Sequence, residues 1–323
     1  MSNRKRIVLA GGSGFLGQAL AGHLGKSGHE IVILTRTPRP RTDDAREVGW
    51  DGSAQGPWQE DLEGALAVIN LTGKSVNCRY TAANRKEILE SRVNSTRCLG
   101  EAIGSCRIPP PVWLNASTAT VYRHTFDAAW DERGETEASG EAKDGFSVEV
   151  AWAWERALAE AATPQTRKVA LRTSMVLGLS RNSVFPVLRR LTRLGLGGKL
   201  DSGRQFVSWI HELDYCRAID WLLAHEELSG PINVTAPNPV TNAEMMRIMR
   251  GICGVPIGLP ASGWMLEVGA FLMRTETELV LKSRRVVPGR LLRSGFEFRF
   301  AEIRQAFEDL NSNGGVSLGR GRY

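Results

Sequence analysis

The stretch "KRIVLAGGSGFLGQALAGHLGKSG", Lys5 to Gly28, constrains this chain more than any other. A short, wholly apolar strand runs straight into a glycine-rich turn, and the turn opens a segment of helical spacing that ends at Gly28. Gly12, Gly14 and Gly17 form G-x-G-x-x-G, a weak signal alone and a strong one between a strand and a helix. Gly12 permits the tight turn, Gly14 lets backbone approach a pyrophosphate, and Gly17 lets the helix pack closely on the strand. The helix N-terminus adds free N–H groups and a partial positive charge. The loop from Gly11 through Ser13, Phe15 and Leu16 to Gly17 is therefore expected to hold the phosphates of a dinucleotide.

The next strand, "EIVILTR", discriminates between the two nicotinamide dinucleotides. An NAD site wants a carboxylate at its end, to accept from the ribose 2′-hydroxyl. Thr35 and Arg36 stand there instead, and Asp43 and Asp44 come only well into the loop. A planar guanidinium pairs with a 2′-phosphate, and the threonine adds a hydroxyl, so NADP is the expected cofactor.

Further apolar strands, "ALAVINLTG", "PVWLNAST" and "RKVALRTSMVLG", alternate with the helical segments "TAANRKEILESRVNSTRCLGEAIGSC" and "DGFSVEVAWAWERALAEAA". Strands apolar throughout, alternating with helices, predict a Rossmann-type, doubly wound parallel sheet of the α/β class, covered on both faces. Past Gly178 the alternation weakens, which suggests a smaller, mostly helical substrate domain inserted in two pieces. The expected division is 1–177 with 209–235 for the dinucleotide domain and 178–208 with 236–310 for the other. Residues 311–323, rich in Gly, Ser and Arg, are expected to be a disordered tail.

Composition narrows the partners. The 41 Lys+Arg exceed the 35 Asp+Glu by six over 323 residues, which suits a small anionic ligand and lacks the concentrated stripe of a nucleic-acid binder. Five scattered cysteines show neither paired nor metal spacing, so no metal site is expected and the thiols read as reduced, in a cytoplasmic protein. No run approaches the ~18 apolar residues of a membrane span, and no membrane partner is expected. The oligomeric state is not legible.

"GGSGFLG", "NLTG", "NAST", "VYR", "RTSMVLG" and "WIHELD", in that order, resemble the extended short-chain dehydrogenase/reductases. The pairing of "FSVEVAWAWE" with "RRVVPGRLLRSGFEFRF" is similar to an atypical epimerase-like branch ending in the domain of unknown function 1731. The resemblance covers residues ~6 to 310. It implies that Leu71, Thr72, Gly73 and Ala116 border the cofactor, that Glu87 and Arg92 approach it from the following helix, and that Val176 packs against its nicotinamide end. It also implies catalytic hydroxyls at Ser117 and Thr118.

Typical members carry Tyr-x-x-x-Lys on the next helix, where the tyrosine moves the proton and the lysine lowers its pKa. By the resemblance those positions fall on Phe146 and Val150, which do neither. Phe146, Val150, Trp154 and Leu158 read as an apolar packing stripe. Candidates for a replacement are Tyr122, then Glu149 and His211, the latter two expected to face solvent and to fix a loop. The resemblance also places Arg189, Arg193, Lys199 and Gln205 near a substrate cleft, where they suit an anionic small molecule. The expected activity is an NADP(H)-dependent oxidoreductase or epimerase-like reaction on an unidentified small molecule, with a non-catalytic NADP(H)-binding regulatory protein as the alternative.

Overall fold

In the computed structural model, which describes residues 5–140, 144–262 and 282–316, seven parallel strands form the central sheet. The strands are β1 (Arg6–Ala10), β2 (Glu30–Thr35), β3 (Arg46–Gly49), β4 (Ala67–Asn70), β5 (Val112–Thr118), β6 (Arg167–Thr173) and, further on, β10 (Gly230–Val234). Their order is β10-β6-β5-β4-β1-β2-β3. The order reverses between β1 and β4, and the carboxyl ends of those two strands open the crevice where such sheets take their ligands.

Side chains alternate across each strand, so each strand feeds two cores. Ile7, Leu9, Ile31 and Ile33 join Leu20 and Leu24 of α1 (Phe15–Lys26), while Val8, Ala10, Val32 and Leu34 join Leu99 and Ile103 of α2 (Ala82–Ser105). Helix α3 (Gly145–Glu160) packs beside α2, and α5 (Glu212–Ala224) beside α1. Burial on both faces explains strands with no polar alternation.

A second core joins the two expected pieces of the smaller unit. Phe185 of α4 (Val184–Leu191) meets Met245, Met246 and Met249 of α6 (Asn242–Cys253) and Phe307 of α8 (Ile303–Val316). Two short pairings complete this part: β7 (Met175–Leu177) with β9 (Trp209–His211), and β8 (Phe206–Val207) with β11 (Val240–Thr241). Not all of 236–310 belongs here. Leu291 of α7 (Gly289–Arg293) and Phe296 sit in the core that holds Ile219 and Ile232, and Ser294 accepts from the Trp221 indole at 2.9 Å. The tail also starts later than composition suggests, because α8 continues through Val316; residues 317–323 lie outside the described part.

Residues 282–290 form a strap back across the larger unit. Lys282 is buried against Asp144 and donates to the Thr120 carbonyl at 2.6 Å. Ser283 donates to the Thr125 carbonyl, Trp130 donates to Arg285 at 2.7 Å, and Glu132 accepts from the amides of Asn233 and Arg290 at 3.0 Å each. No helix among the described residues is long and apolar enough to cross a membrane, and none of their His, Cys, Asp and Glu cluster as a metal site would require.

Candidate functional site

A cavity of about 460 Å³ lies at the sheet reversal. Gly11, Gly14, Phe15, Leu16 and Gly17 form one wall, and Leu71, Val76, Tyr80, Ile88 and Arg92 another. Ala116, Ser117 and Thr118 come from the end of β5, and Phe146, Val150 and Trp154 from α3.

The glycine loop is built tightly except where a ligand would come. Gly11 has φ +71°, and a β-carbon there would meet Thr72 backbone at 2.8 Å. A β-carbon on Gly17 would collide with Gly12, which is the close helix–strand contact expected of it. Around Gly14 the space is open, and no side chain caps the first amides of α1. Gly12 is buried beneath the loop and Ser13 is exposed. An open, uncapped helix start presents free N–H groups of the kind that can receive phosphate oxygens.

Buried amides fix the floor. Asn70 Nδ2 donates to Asn115 Oδ1 at 2.7 Å, and Asn70 Oδ1 accepts the Thr72 amide at 3.0 Å. Thr96 donates to the Arg92 carbonyl at 2.8 Å and accepts from the Trp154 indole at 3.1 Å. Thr72 Oγ1 is buried without a hydrogen-bond partner.

Arg92 leans into the cavity. Its guanidinium lies 5.0 Å from the Trp154 ring centre and donates to the Ile88 carbonyl at 2.9 Å, and a β-carbon on Gly73 would approach it to 3.0 Å. No carboxylate among the described residues pairs with it, and burial lowers its pKa to about 10. A desolvated cation without a counter-ion is an anion receptor. Glu87, expected beside it, is exposed on the helix surface and bound to Lys74 instead. Five residues of helix turn the two side chains to different faces.

Arg36, at the carboxyl end of β2, is exposed and makes no ion pair or hydrogen bond among the described residues. Thr35 beside it is buried. Asp43 is committed to Arg41, which also binds Glu47 at 3.1 Å.

Several expected residues stand elsewhere. Tyr122 is buried behind the cavity wall: its hydroxyl donates to Asn233 Oδ1 at 2.7 Å and accepts from Arg172 at 2.9 Å. Burial raises its pKa, which Arg172 and Asn233 only partly offset. It is a core residue rather than the acid at the cleft. Val176 packs on β7 against the larger core, opposite Ile210, and does not line the cavity. His211 caps α5, accepting the Leu213 amide at 3.0 Å, and stacks on Phe300; burial lowers its pKa. Glu149 is exposed. Arg193 and Lys199 are exposed and Arg189 lies over Phe185, while Gln205 is buried and donates to the Leu200 carbonyl at 3.0 Å. None of these four lines the cavity.

Of the expected hydroxyls, Ser117 and Thr118 reach the cavity. Ser117 donates to Glu155 at 2.6 Å, and Glu155 in turn takes two bonds from Arg172, at 2.9 and 2.8 Å. Burial opposes the charge on Arg172, but Glu155 outweighs it and holds the pKa above its ordinary value. Sequence reasoning overlooked Tyr80, which packs edge-on against Phe146 with ring centres 5.0 Å apart. It stands on an irregular loop, where no periodicity marks which side chains turn inward.

Fold, glycine cradle and free basic groups together define a nicotinamide-dinucleotide-binding protein of the doubly wound α/β class. The family model of the NAD dependent epimerase/dehydratase family matches residues 7–235, and Domain of unknown function (DUF1731) matches residues 261–310. The chain belongs to the NAD-dependent epimerase/dehydratase family. It is 31% identical to the epimerase family protein SDR39U1 of Bos taurus over 309 residues, 94% of this chain and 99% of the relative. It is 30% identical to the epimerase family protein YfhF of Bacillus subtilis over 305 residues, 94% and 97% of the two chains. The solved human SDR39U1, determined with NADPH, superposes with a TM-score of 0.83 at 28% identity, covering 95% of this chain and 99% of that one.

Proposed function

We propose that this protein binds NADP(H) and acts as an oxidoreductase or epimerase-like enzyme on a small molecule, without the usual tyrosine and lysine. Arg36 carries the cofactor assignment: a free guanidinium at the end of β2, where an NAD-selective site wants a carboxylate. The NADPH in the human relative agrees with it. The open space at Gly14, and a Thr72 hydroxyl and an Arg92 guanidinium that have no hydrogen-bond partner and no counter-ion, respectively, among the described residues, suit an anionic, hydroxyl-rich dinucleotide.

When bound, the nicotinamide supplies hydride chemistry. The chain's own residues orient and shield it. The amides of the glycine loop and Arg92 hold anionic oxygens, and Phe146, Val150 and Trp154 exclude water from the far wall. Ser117 gives its proton to Glu155 and so offers the cavity a lone pair, an acceptor for a ligand hydroxyl or amide. Thr118, which donates to Thr120 Oγ1 and accepts its amide, is the second hydroxyl on that wall. With Tyr122 turned into the core, these two are the proposed catalytic hydroxyls.

One observation favours the non-catalytic reading: the cavity face of α3, at Phe146, Val150 and Trp154, holds no titratable group. Calorimetric titration with NADPH and NADH tests the cofactor assignment. Wild type should prefer NADPH, and Arg36→Asp should lose at least about tenfold in that preference, the order of one charge-assisted pair exchanged for a repulsion. Equal preference in both proteins would overturn it. NADPH absorbance across carbonyl and nucleotide-sugar panels then separates the two readings: turnover that Ser117→Ala/Thr118→Val abolishes, with NADPH affinity kept, establishes the enzyme.

A further inference from the structure

Five of the large apolar side chains that the described residues expose gather at one end of the smaller unit: Val187, Leu194, Leu196, Ile257 and Leu259, each between 44% and 75% exposed. Local backbone geometry produces the patch. Residues 195–199 pair with 259–261, the Leu259 amide donating to Gly195 at 2.8 Å, Gly198 to Leu259 at 3.2 Å and Ala261 to Lys199 at 3.1 Å. The inward positions are glycines, and a β-carbon on Gly198 or Gly258 would collide with the opposite backbone. Gly197, Gly198 and Gly258 face inward, while Leu194, Leu196, Ile257 and Leu259 beside them stand in solvent.

Cations surround this tip. Arg190, Arg193 and Lys199 are exposed and make no ion pair among the described residues. No acidic residue occurs in 184–200 or 245–262; the nearest flanking acids among the described residues are Asp201, which is exposed, and Glu244, which pairs with Arg247 at 3.6 Å. An apolar tip ringed by unpaired cations complements a surface that is anionic outside and apolar just beneath.

We propose that this tip docks peripherally on an anionic lipid bilayer, Leu194, Leu196, Ile257 and Leu259 entering the interface while Arg190, Arg193 and Lys199 meet the headgroup phosphates. It replaces the expectation of no membrane partner and gives Arg193 and Lys199 a role apart from the cavity. It requires nothing of the cofactor.

Co-sedimentation of the full chain with phosphatidylcholine vesicles, with and without phosphatidylglycerol, is the test. Binding should need the anionic lipid, weaken with salt, and fall about fivefold for each of Arg190→Ala and Arg193→Ala. Leu194→Glu/Ile257→Glu should abolish it while the melting temperature and NADPH affinity stay at wild-type values, since both side chains are exposed and neither lines the cavity. No binding to anionic vesicles, or binding that the double variant retains, overturns the proposal. So does a wild-type dimer that the double variant turns into a monomer without any vesicle binding, because the occupant would then be a second copy of the chain.

Discussion

The Tyr122 hydroxyl donates to Asn233 Oδ1 at 2.7 Å across 111 residues of sequence. This bond ties the chain just after β5 to β10, and the one Tyr122 accepts from Arg172 ties it to β6, beneath the cavity wall. Tyr122→Phe leaves a buried acceptor and a guanidinium N–H unpaired. It should cost about 1–3 kcal/mol in urea denaturation and leave NADPH affinity unchanged. A large affinity loss at unchanged stability would return Tyr122 to the site.

Gly14→Val should abolish binding of either dinucleotide. The space around Gly14 is open in the protein and is where phosphate must approach, so two added methyls occupy ligand volume without disturbing the fold. Calorimetry and a thermal melt check it together. A variant that melts like wild type and still binds NADPH tightly would show that the loop is used otherwise.

Arg92→Met should separate stability from binding. The native cation is desolvated and unpaired, so methionine, of similar length, should match or exceed wild-type stability while NADPH affinity falls about tenfold or more. The pH dependence has a definite sign. Burial lowers the folded pKa to about 10, so below that pH the charge costs stability, and the cost is relieved as pH rises through about 10. Ligand affinity moves the other way, falling as pH passes about 10 in wild type. Arg92→Met should lack that fall; an identical pH profile in both proteins would remove Arg92 from the ligand.

Phe146→Tyr with Val150→Lys should restore no activity. Val150 is 5% exposed, so an amine there must be desolvated or neutralised. Loss of stability in chemical denaturation, with no new NADPH turnover, is the expected result.

What was legible in the sequence followed from burial on both sides. β1, β2, β4 and β5 are apolar end to end because both faces of the sheet are covered, and the glycine loop reads as plainly because each glycine answers a steric demand. β3, "REVG", was missed: it is an edge strand whose Arg46 binds Asp61 laterally, so charges stand where an interior strand carries valine or isoleucine. Glu87, Val176 and Tyr122 were placed by resemblance, which fixes a position on an element but not the face its side chain takes. Tyr80 belongs to a loop, and only the folded chain shows that it looks inward.

The strap of residues 282–290 has a consequence for synthesis. Asp144 starts α3, yet its buried counter-ion is Lys282, and Thr120, on the cavity wall, gives its carbonyl to the same ammonium 162 residues away. A nascent chain can form β1 through β6 early, but Asp144 at the head of α3, held locally by the Ser139 amide, lacks its buried counter-ion until nearly the whole polypeptide has left the ribosome. The cavity wall at Thr120 is thus among the last parts to mature, since its carbonyl waits for a partner 162 residues further on. A chain ending before Lys282 should retain the early strands and helices and fail to assemble a binding-competent wall.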